Sequence, residues 1–398
     1  MTEEKFKREA IQGMPSVRIL DTLLEYAILK NASDLHFEPT YEKMTVRYRI
    51  DGILREILTL PKELEAGLLE RIKILAGLKI NECRLPQDGR FKISSPDYKV
   101  VFRVSVVPVA QGEKAFMRLL NEADKNLTLE ELGMPQELTM LLKEKTTGGR
   151  GLILFTALAG NGKTSTLYSL LNDLNRPEIN ISTVEERIVY RLPGLNQCQI
   201  NPESGLTLSL AISSFLNQDP DIIMIDEIRD RSSANLAVQA VLNSKLVLAS
   251  LNAESVYSAL KRLISLGLSP AAIAESASLI VAQKLVRKIC PHCSAAVEPD
   301  KKTLSEIKKL FDLETAEGLK FYQSKGCEQC SNSGYLGRIG VFEFLEMTPA
   351  IVKLILSGAE VEKIKSAALK EGMLALNQDA LNKALNGLIS VEEILKVV

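Results

Sequence analysis

The sequence of 398 residues contains no tryptophan, and aromatic residues make up only 5% of it. Few side chains are therefore available to stack on the bases of a single-stranded nucleic acid. The formal net charge is −1, so the chain has no overall positive field that would attract a phosphate backbone. These two shortages argue against a nucleic acid motor and predict a protein that does not bind nucleic acid.

Long apolar runs are also missing from the chain. The nearest candidate for a membrane span, residues 263–282, is interrupted by Pro270 and Glu275. The first eight residues lack the apolar core of a signal peptide. We therefore expect a cytoplasmic protein that contacts a membrane only through partners. A hydrophobic content of 46% with 25% charged residues is ordinary for a globular chain of two or three domains.

The most informative stretch runs from Gly151 to Thr166, with the sequence GLILFTALAGNGKTST. A buried strand, a turn with two glycines and a helix follow one another, which is the context of a phosphate-binding loop. Backbone N–H groups of such a loop surround phosphates at the N-terminus of the helix. We predict that six residues bind the nucleotide: Gly160, Asn161, Gly162, Lys163, Thr164 and Ser165. Lys163 would reach the terminal phosphates of ATP, and the Thr164 hydroxyl would bind Mg²⁺.

One position departs from the phosphate-binding motif. The motif has glycine at its first position, where this chain has Ala157. Alanine is tolerated there if its φ angle is negative and is strained if φ is positive. The alternative to a nucleotide site is a glycine-rich turn followed by a chance Lys-Thr pair.

A second apolar run, residues 221–227, ends in the adjacent carboxylates Asp226 and Glu227. In a sheet of parallel strands, the C-terminal ends of the strands face the ligand crevice. Asp226 is then placed to hold Mg²⁺, directly or through water, and Glu227 to orient or deprotonate the attacking water. Taken alone, the pair could equally be two solvated acids at a strand end. The phosphate-binding loop favours the functional interpretation.

Six cysteines in a chain expected in a reducing compartment argue against disulfides. Four of them form two C-x-x-C pairs separated by 33 residues, and these four are Cys290, Cys293, Cys327 and Cys330. Four thiolates in this arrangement predict a structural Zn²⁺ site. A redox role is the alternative, and His292 is a poor substitute ligand because it lies inside the first pair. Cys83 and Cys198 have no partner motif and are predicted to be ordinary small apolar residues.

The spacing of apolar residues predicts five parts in an α/β protein. The parts are an α+β domain with an antiparallel sheet (1–120), a polar linker (121–149), a core with a mostly parallel sheet (150–285), the tetracysteine module (286–345) and a C-terminal helical region (346–398). In the first part, residues 15–30 and 62–78 have helical spacing, and Asp51-Gly52 predicts a hairpin. A hinge is predicted at Gly148-Gly149, near the end of the linker.

From Val17 to the C-terminus, several stretches in this order resemble the hexameric ATPases of type II secretion and type IV pilus assembly. The stretches are ASDLHFEP (32–39), VRYRIDG (46–52), RLPQDGR (84–90), FMRLL (116–120), QDPDIIMIDEIRD (218–230), AQKLVRKICPHC (282–293) and GYLGR (334–338). The resemblance implies a PAS-like N-terminal domain, a RecA-like ATPase core with an inserted zinc module, and a ring of six subunits. The family often has a further N-terminal docking domain, and we expect the chain to begin after it, with that module either missing or removed.

The resemblance also implies which arginines complete the active site. Arg103, Arg118 and Arg229 match family arginines that offset the γ-phosphate charge as it develops. Each could instead be a surface arginine paired with a carboxylate. The implied function is ATP hydrolysis that drives pilin or pseudopilin assembly through an inner-membrane platform protein and associated assembly proteins. The implied location is cytoplasmic and peripheral to the inner membrane.

The chain also departs from the family pattern in ways that bear on hydrolysis. Asp226 stands where the family usually has glycine, and it makes the acidic pair resemble that of other P-loop ATPases. The other departures weaken the expectation of fast hydrolysis. They are EERIV (185–189) in place of Glu-Asp-Pro-Ile/Val-Glu, Ser213 and Asn217 in place of arginines, and SKL (244–246) and SLN (250–252) in place of two histidine motifs. Loss of one positioned donor or charge can lower turnover about 10²–10³-fold. The alternative function is therefore a nucleotide-binding paralogue with little or no hydrolysis and a structural or regulatory role.

Overall fold

The structure, a computed structural model, describes residues 15–95, 98–121, 127–311 and 319–397. Small pieces of the predicted first domain, linker, tetracysteine module and C-terminal region lie outside the described residues, namely 1–14, 96–97, 122–126, 312–318 and 398. The chain divides into two units, residues 1–125 and 126–398. In the part of the chain that the structure describes, no helix has the length and apolar character needed to cross a membrane.

The first unit combines two helices with a six-stranded antiparallel sheet. Its elements are α1 (Ser16–Leu29), β1 (Ala32–Pro39), β2 (Lys43–Ile50), β3 (Ile53–Pro61), a short 3-10 helix (Lys62–Leu64), α2 (Glu65–Ala76), β4 (Gln87–Ser94), β5 (Lys99–Val109) and β6 (Gly112–Asn121). The strand order is β3-β2-β1-β6-β5-β4. The predicted hairpin at Asp51-Gly52 is confirmed, because both residues have positive φ angles, 49° and 83°, between the paired strands β2 and β3.

The second unit is built on a seven-stranded sheet with helices on both faces. Its elements up to the tetracysteine module are α3 (Gln136–Thr147), β7 (Gly151–Thr156), α4 (Lys163–Leu174), β8 (Ile181–Glu185), β9 (Asn196–Gln199), a 3-10 helix (Pro202–Ser204), α5 (Leu208–Leu216), β10 (Ile222–Ile225), α6 (Arg231–Leu242), β11 (Leu246–Leu251), α7 (Val256–Ser265), α8 (Pro270–Ser276) and β12 (Ala277–Ile289). The stretch predicted as a linker includes α3, whose Leu138 and Leu142 are buried.

The remaining elements follow β12. They are β13 (Ser294–Val297), α9 (Lys301–Phe311), β14 (Phe321–Ser324), β15 (Tyr335–Glu346), α10 (Pro349–Leu356), α11 (Val361–Lys370), α12 (Leu376–Leu385) and α13 (Val391–Leu395). Strands β13 and β14 form a small separate sheet. Apolar residues of the tetracysteine module and of the C-terminal helices share one core, which includes Phe321, Ile339, Leu381 and Ile394.

The central sheet has the strand order β15-β12-β7-β11-β10-β8-β9. All of its neighbouring strands are parallel except β12 and β15. Helices cover both faces, so alternate residues of β7 pack into different cores. Leu152 and Leu154 belong to one core, and Ile153 and Phe155 belong to the other. The continuous apolar run in the sequence follows from this double burial. Parallel pairing also brings the C-terminal ends of β7, β8, β10 and β11 to one edge of the sheet.

This core makes a prediction about stability. Ile223 on β10 is fully buried, whereas Leu210 on α5 is 53% exposed. Ile223→Ala should lower the free energy of unfolding by about 2–5 kcal/mol, because it removes apolar contacts and leaves a cavity. Leu210→Ala should change it by less than about 0.5 kcal/mol. Urea titrations of both variants test this, and equal losses would contradict the burial described here.

Candidate functional site

The predicted phosphate-binding loop joins β7 to α4. Gly160 and Gly162 have φ angles of +79° and +83°, a region that residues with a Cβ atom rarely adopt. Ala157 is not among the described non-glycine residues with positive φ, so alanine at the first motif position is compatible with the backbone. Helix α4 begins at Lys163, and its first N–H groups and positive dipole end are directed at the loop. The loop therefore has the geometry of an anion-binding site.

Strand β12 supports this loop from behind. The Leu285 N–H donates to Asn161 Oδ1 at 2.9 Å, and Thr166 Oγ1 donates to Gln283 Oε1 at 2.7 Å. A Cβ atom on Gly162 would lie only 2.7 Å from Gln283 Nε2, and Gln283 is itself buried. Glycine is thus required at position 162 both by its φ angle and by the closeness of β12. The Asn161 side chain takes part in this support, and the Asn161 N–H donates to the backbone oxygen of Leu158 at 3.3 Å.

Lys163 lies close to the predicted carboxylates. Its Nζ donates to the backbone oxygen of Ala157 at 2.6 Å, which holds the side chain across the loop. Burial lowers the pKa of Lys163, and the negative charges of Glu227 and Asp226 oppose that change. Thr164 and Ser165 follow in the first turn of α4 and are half-buried. The structure therefore brings the nucleotide-binding residues and the acidic pair to the same edge of the sheet.

Asp226 follows β10 directly and is half-buried. Burial raises the pKa of Asp226 to about 6, and the negative charge of Glu185 adds to this effect. Its Oδ2 accepts a hydrogen bond of 3.3 Å from the Glu186 N–H, and its backbone oxygen accepts one from Ser250 Oγ. A cation beside Asp226 would favour its charged form and so stabilise the carboxylate where it now lies.

Glu185 is a buried carboxylate that the sequence did not mark as a site residue. It ends β8 and is fully buried. Three side chains donate to it: the Tyr168 hydroxyl, Thr183 Oγ1 at 2.5 Å and Gln197 Nε2 at 3.2 Å. A buried polar group is tolerated where it is hydrogen-bonded in this way. The cluster connects α4, β8 and β9 immediately behind the acidic pair.

Arg229 forms ion pairs with two carboxylates. Its Nη1 and Nη2 donate to Glu186 Oε1 and Oε2 at 3.1 and 2.6 Å, and its Nε donates to Glu227 Oε2 at 3.0 Å. These pairs raise the pKa of Arg229, with Glu186 making the largest contribution and Glu227 adding to it. Arg229 therefore lies beside Glu227.

The other two predicted arginines lie on the sheet of the first unit. Arg103 on β5 is directly opposite Arg118 on β6. Arg118 Nε donates to Asp34 Oδ1 at 2.7 Å, although its side chain is 56% exposed. Asp34 also lies 3.5 Å from Arg49 Nε. This face of the sheet carries three arginines, Arg49, Arg103 and Arg118, around the buried carboxylate of Asp34.

The four cysteines of the two C-x-x-C pairs meet in the second unit. Their sulfur atoms all lie within 4.8 Å of one another, with Cys290 and Cys327 at 3.8 Å and Cys293 and Cys330 at 3.9 Å. Tetrahedral zinc with Zn–S bonds of about 2.3 Å places sulfurs about 3.8 Å apart. Burial raises the pKa of Cys330, but the N–H groups of Cys327 and Gly334 donate to its sulfur and hold the pKa at about 6. The donor set fits a zinc ion.

Sequence reasoning found the loop, the acidic pair and the cysteines, but it missed the residues that hold them. Glu185, Glu186 and Gln283 all lie in stretches that the family resemblance marks, so the motif itself was a usable signal. No local pattern marks the bond between Tyr168 and Glu185, because these residues belong to different elements. The structure brings together the predicted residues of the second unit, and Arg103 and Arg118 lie in the first.

Comparison with known proteins adds to this geometry. The family model described as "Type II/IV secretion system protein" matches residues 9–396. The type IV pilus assembly ATPase PilB of Thermus thermophilus is 38% identical over 99% of this chain and 45% of its own length. PilB of Pseudomonas aeruginosa is 39% identical over 100% of this chain and 69% of its own length. The type II secretion system ATPase E of Vibrio cholerae is 37% identical over 98% of this chain and 76% of its own length.

Solved structures agree on the fold. The ATPase DotB of Yersinia pseudotuberculosis has a TM-score of 0.71 at 20% identity and covers 98% of this chain and 94% of its own. The pilus retraction motor PilT with bound ADP has a TM-score of 0.62 at 20% identity and covers 94% of this chain and 96% of its own. The fold is thus a mixed α/β fold of the kind found in secretion ATPases. The chain spans less than half the length of the Thermus relative and larger shares of the others. The predicted resemblance is confirmed, and the chain belongs to the type II/IV secretion system protein family.

Proposed function

We propose that the chain binds ATP with Mg²⁺ and hydrolyses it at the edge of the central sheet. The observation that supports this most directly is the shared position of the loop, Lys163, Asp226 and Glu227. The loop N–H groups of Gly160 to Ser165 would bind the phosphates, and Lys163 would offset charge on the terminal ones. Thr164 and Asp226 would hold Mg²⁺, which when bound neutralises charge on the phosphate oxygens. Glu227 would orient or deprotonate the attacking water.

We propose that Arg103, Arg118 and Arg229 stabilise the negative charge that develops on the γ-phosphate. Arg229 belongs to the same unit as the loop, and its Nε donates to Glu227 Oε2. Arg103 and Arg118 belong to the first unit and would come from the same subunit or from a neighbouring one. Preorganised positive charge at this point lowers the barrier because it requires no rearrangement during the reaction.

In the cell, we propose, hydrolysis drives assembly of a pilin or pseudopilin filament. The pilus assembly and type II secretion ATPases among the relatives support this role. Six copies of the chain would form a ring at the cytoplasmic side of the inner membrane. The ring would transmit the conformational change that accompanies hydrolysis to a platform protein and associated assembly proteins. In this proposal the first unit is PAS-like and the second is RecA-like, with an inserted zinc module.

A nucleotide-binding paralogue with little hydrolysis is the alternative that the substituted histidine and arginine positions raise. The relatives described above are named as ATPases, which lends that alternative no support. One of the substituted positions is Asp226, which stands where the family usually has glycine and places a second carboxylate beside Glu227. Measurement of turnover separates the two functions directly.

Glu227→Gln tests the proposed hydrolysis. The amide has nearly the same shape but cannot accept a proton, so we expect kcat to fall about 10²–10⁴-fold while ATP affinity is kept. Phosphate release by assembled protein and ATP binding are measured in parallel. Glu203→Gln, an exposed change in the same unit, is the control and should keep full turnover. Binding of ATP without phosphate release by the native assembled chain would favour the non-hydrolysing alternative.

Gly162→Ala tests the loop geometry. The new Cβ would be strained at the φ angle of +83° and would lie 2.7 Å from Gln283 Nε2. We expect the dissociation constant for MgATP to rise at least about tenfold, which corresponds to about 1.4 kcal/mol. Gly205→Ala is the matched control, because its φ angle is +84° and open space surrounds it. Calorimetric titration that shows equal affinities for both variants would contradict a phosphate site at this loop.

We also propose that the four cysteines hold a structural zinc ion. Purified protein should contain about one zinc per chain. Replacing Cys290 and Cys293 with serine should remove the zinc and speed hydrogen exchange in the tetracysteine module, while ATP binding is kept. Cys83→Ser should retain the metal, since this exposed cysteine lies outside the cluster. Native protein that is free of metal yet as stable as the zinc-loaded form would contradict the proposal.

A further inference from the structure

The contacts of Arg229 assign a role to Glu186, a residue outside the proposed catalytic set; this inference rests on the proposed function. Both terminal nitrogens of Arg229 donate to Glu186, whereas only one oxygen of Glu227, Oε2, is within reach of the same guanidinium. In the described part of the chain, Glu227 Oε1 has no hydrogen-bond partner. One oxygen of the proposed catalytic carboxylate is held, and the other is available.

Arg229 and Glu227 are only two residues apart, so the guanidinium could also turn its full fork towards Glu227. A bidentate pair of that kind would occupy both carboxylate oxygens and leave none for a water molecule. We propose that Glu186 is a positioning residue: it occupies the terminal nitrogens of Arg229 and thereby keeps Glu227 Oε1 free for the attacking water. Glu186 itself touches neither the water nor the phosphates in this scheme.

The fold holds Glu186 firmly at the backbone while its side chain stays exposed. It follows Glu185, whose carboxylate is anchored by Tyr168, Thr183 and Gln197, and its own N–H donates to Asp226 Oδ2 at 3.3 Å. The side chains of Arg229 and Glu186 are 51% and 54% exposed. An ion pair this exposed contributes little to stability. The ion pair instead fixes the direction in which the Arg229 guanidinium points. Loss of Glu186 should therefore lower kcat and leave the melting temperature unchanged.

The test combines Glu186→Gln, Arg229→Gln and the double variant, each assayed as the assembled chain. The neutral amide that Glu186→Gln introduces binds the guanidinium more weakly than a carboxylate does, so Arg229 should turn to Glu227. We expect kcat of the single Glu186→Gln variant to fall about tenfold or more, with KM for ATP and melting temperature unchanged. In the Arg229→Gln background, the same change should cause no further loss, since no guanidinium remains to be directed. Glu186→Asp should restore most of the activity, and Glu203→Gln should match the native chain.

Three results would overturn the proposal: equal loss from Glu186→Gln in both backgrounds, a loss confined to KM, or full turnover of the Glu186→Gln variant. If the native chain turns over and Glu227→Gln does not, any of these contradicts the role of Glu186 alone and leaves the proposed hydrolysis intact. A crystal structure of the Glu186→Gln variant gives a test that needs no turnover. It should show Arg229 donating to both oxygens of Glu227, and an Arg229 that stays in its native contacts would overturn the role.

Discussion

The candidate site depends above all on the contact between β12 and the loop after β7. Two hydrogen bonds, from Leu285 to Asn161 and from Thr166 to Gln283, bring the strand against the back of the loop. A Cβ atom at position 162 would lie 2.7 Å from Gln283 Nε2, so this contact favours glycine there. A phosphate-binding loop needs its N–H groups already oriented, because ordering them on binding would cost conformational entropy. Strand β12 supplies that order before a ligand arrives.

Parallel pairing gathers the remaining site residues. Glu185, Asp226 and Ser250 lie at the ends of three neighbouring strands, β8, β10 and β11, and their mutual contacts follow from the register of these strands. Burial raises the pKa of Asp226 and the negative charge of Glu185 adds to this effect, so a cation at the acidic edge would favour the charged form of Asp226. Strand β12, which contacts the loop, ends at Ile289, directly before Cys290 of the tetracysteine module. The proposed nucleotide and zinc sites are therefore attached to one strand.

Much of this arrangement could be predicted from the sequence because its signals are local. The run from Gly151 to Thr166 specifies strand, loop and helix through apolar spacing and glycines, and the two C-x-x-C pairs specify a ligand set through spacing alone. Contacts between distant segments left no such signal. The bond from Tyr168 to Glu185 and the pairing of Arg229 with Glu186 join residues 17 and 43 positions apart. The polar stretch before Gly148 gave no strong apolar pattern, yet Leu138 and Leu142 pack one side of α3 into the core.

The most direct test of the account is a crystal structure of the chain with Mg²⁺ and a non-hydrolysable ATP analogue. The phosphates should lie against the N–H groups of Gly160 to Ser165, with the cation beside Thr164 and Asp226. Glu227 Oε1 should face a water molecule near the γ-phosphate. A nucleotide bound away from the loop, or a cation that contacts neither Thr164 nor Asp226, would contradict it.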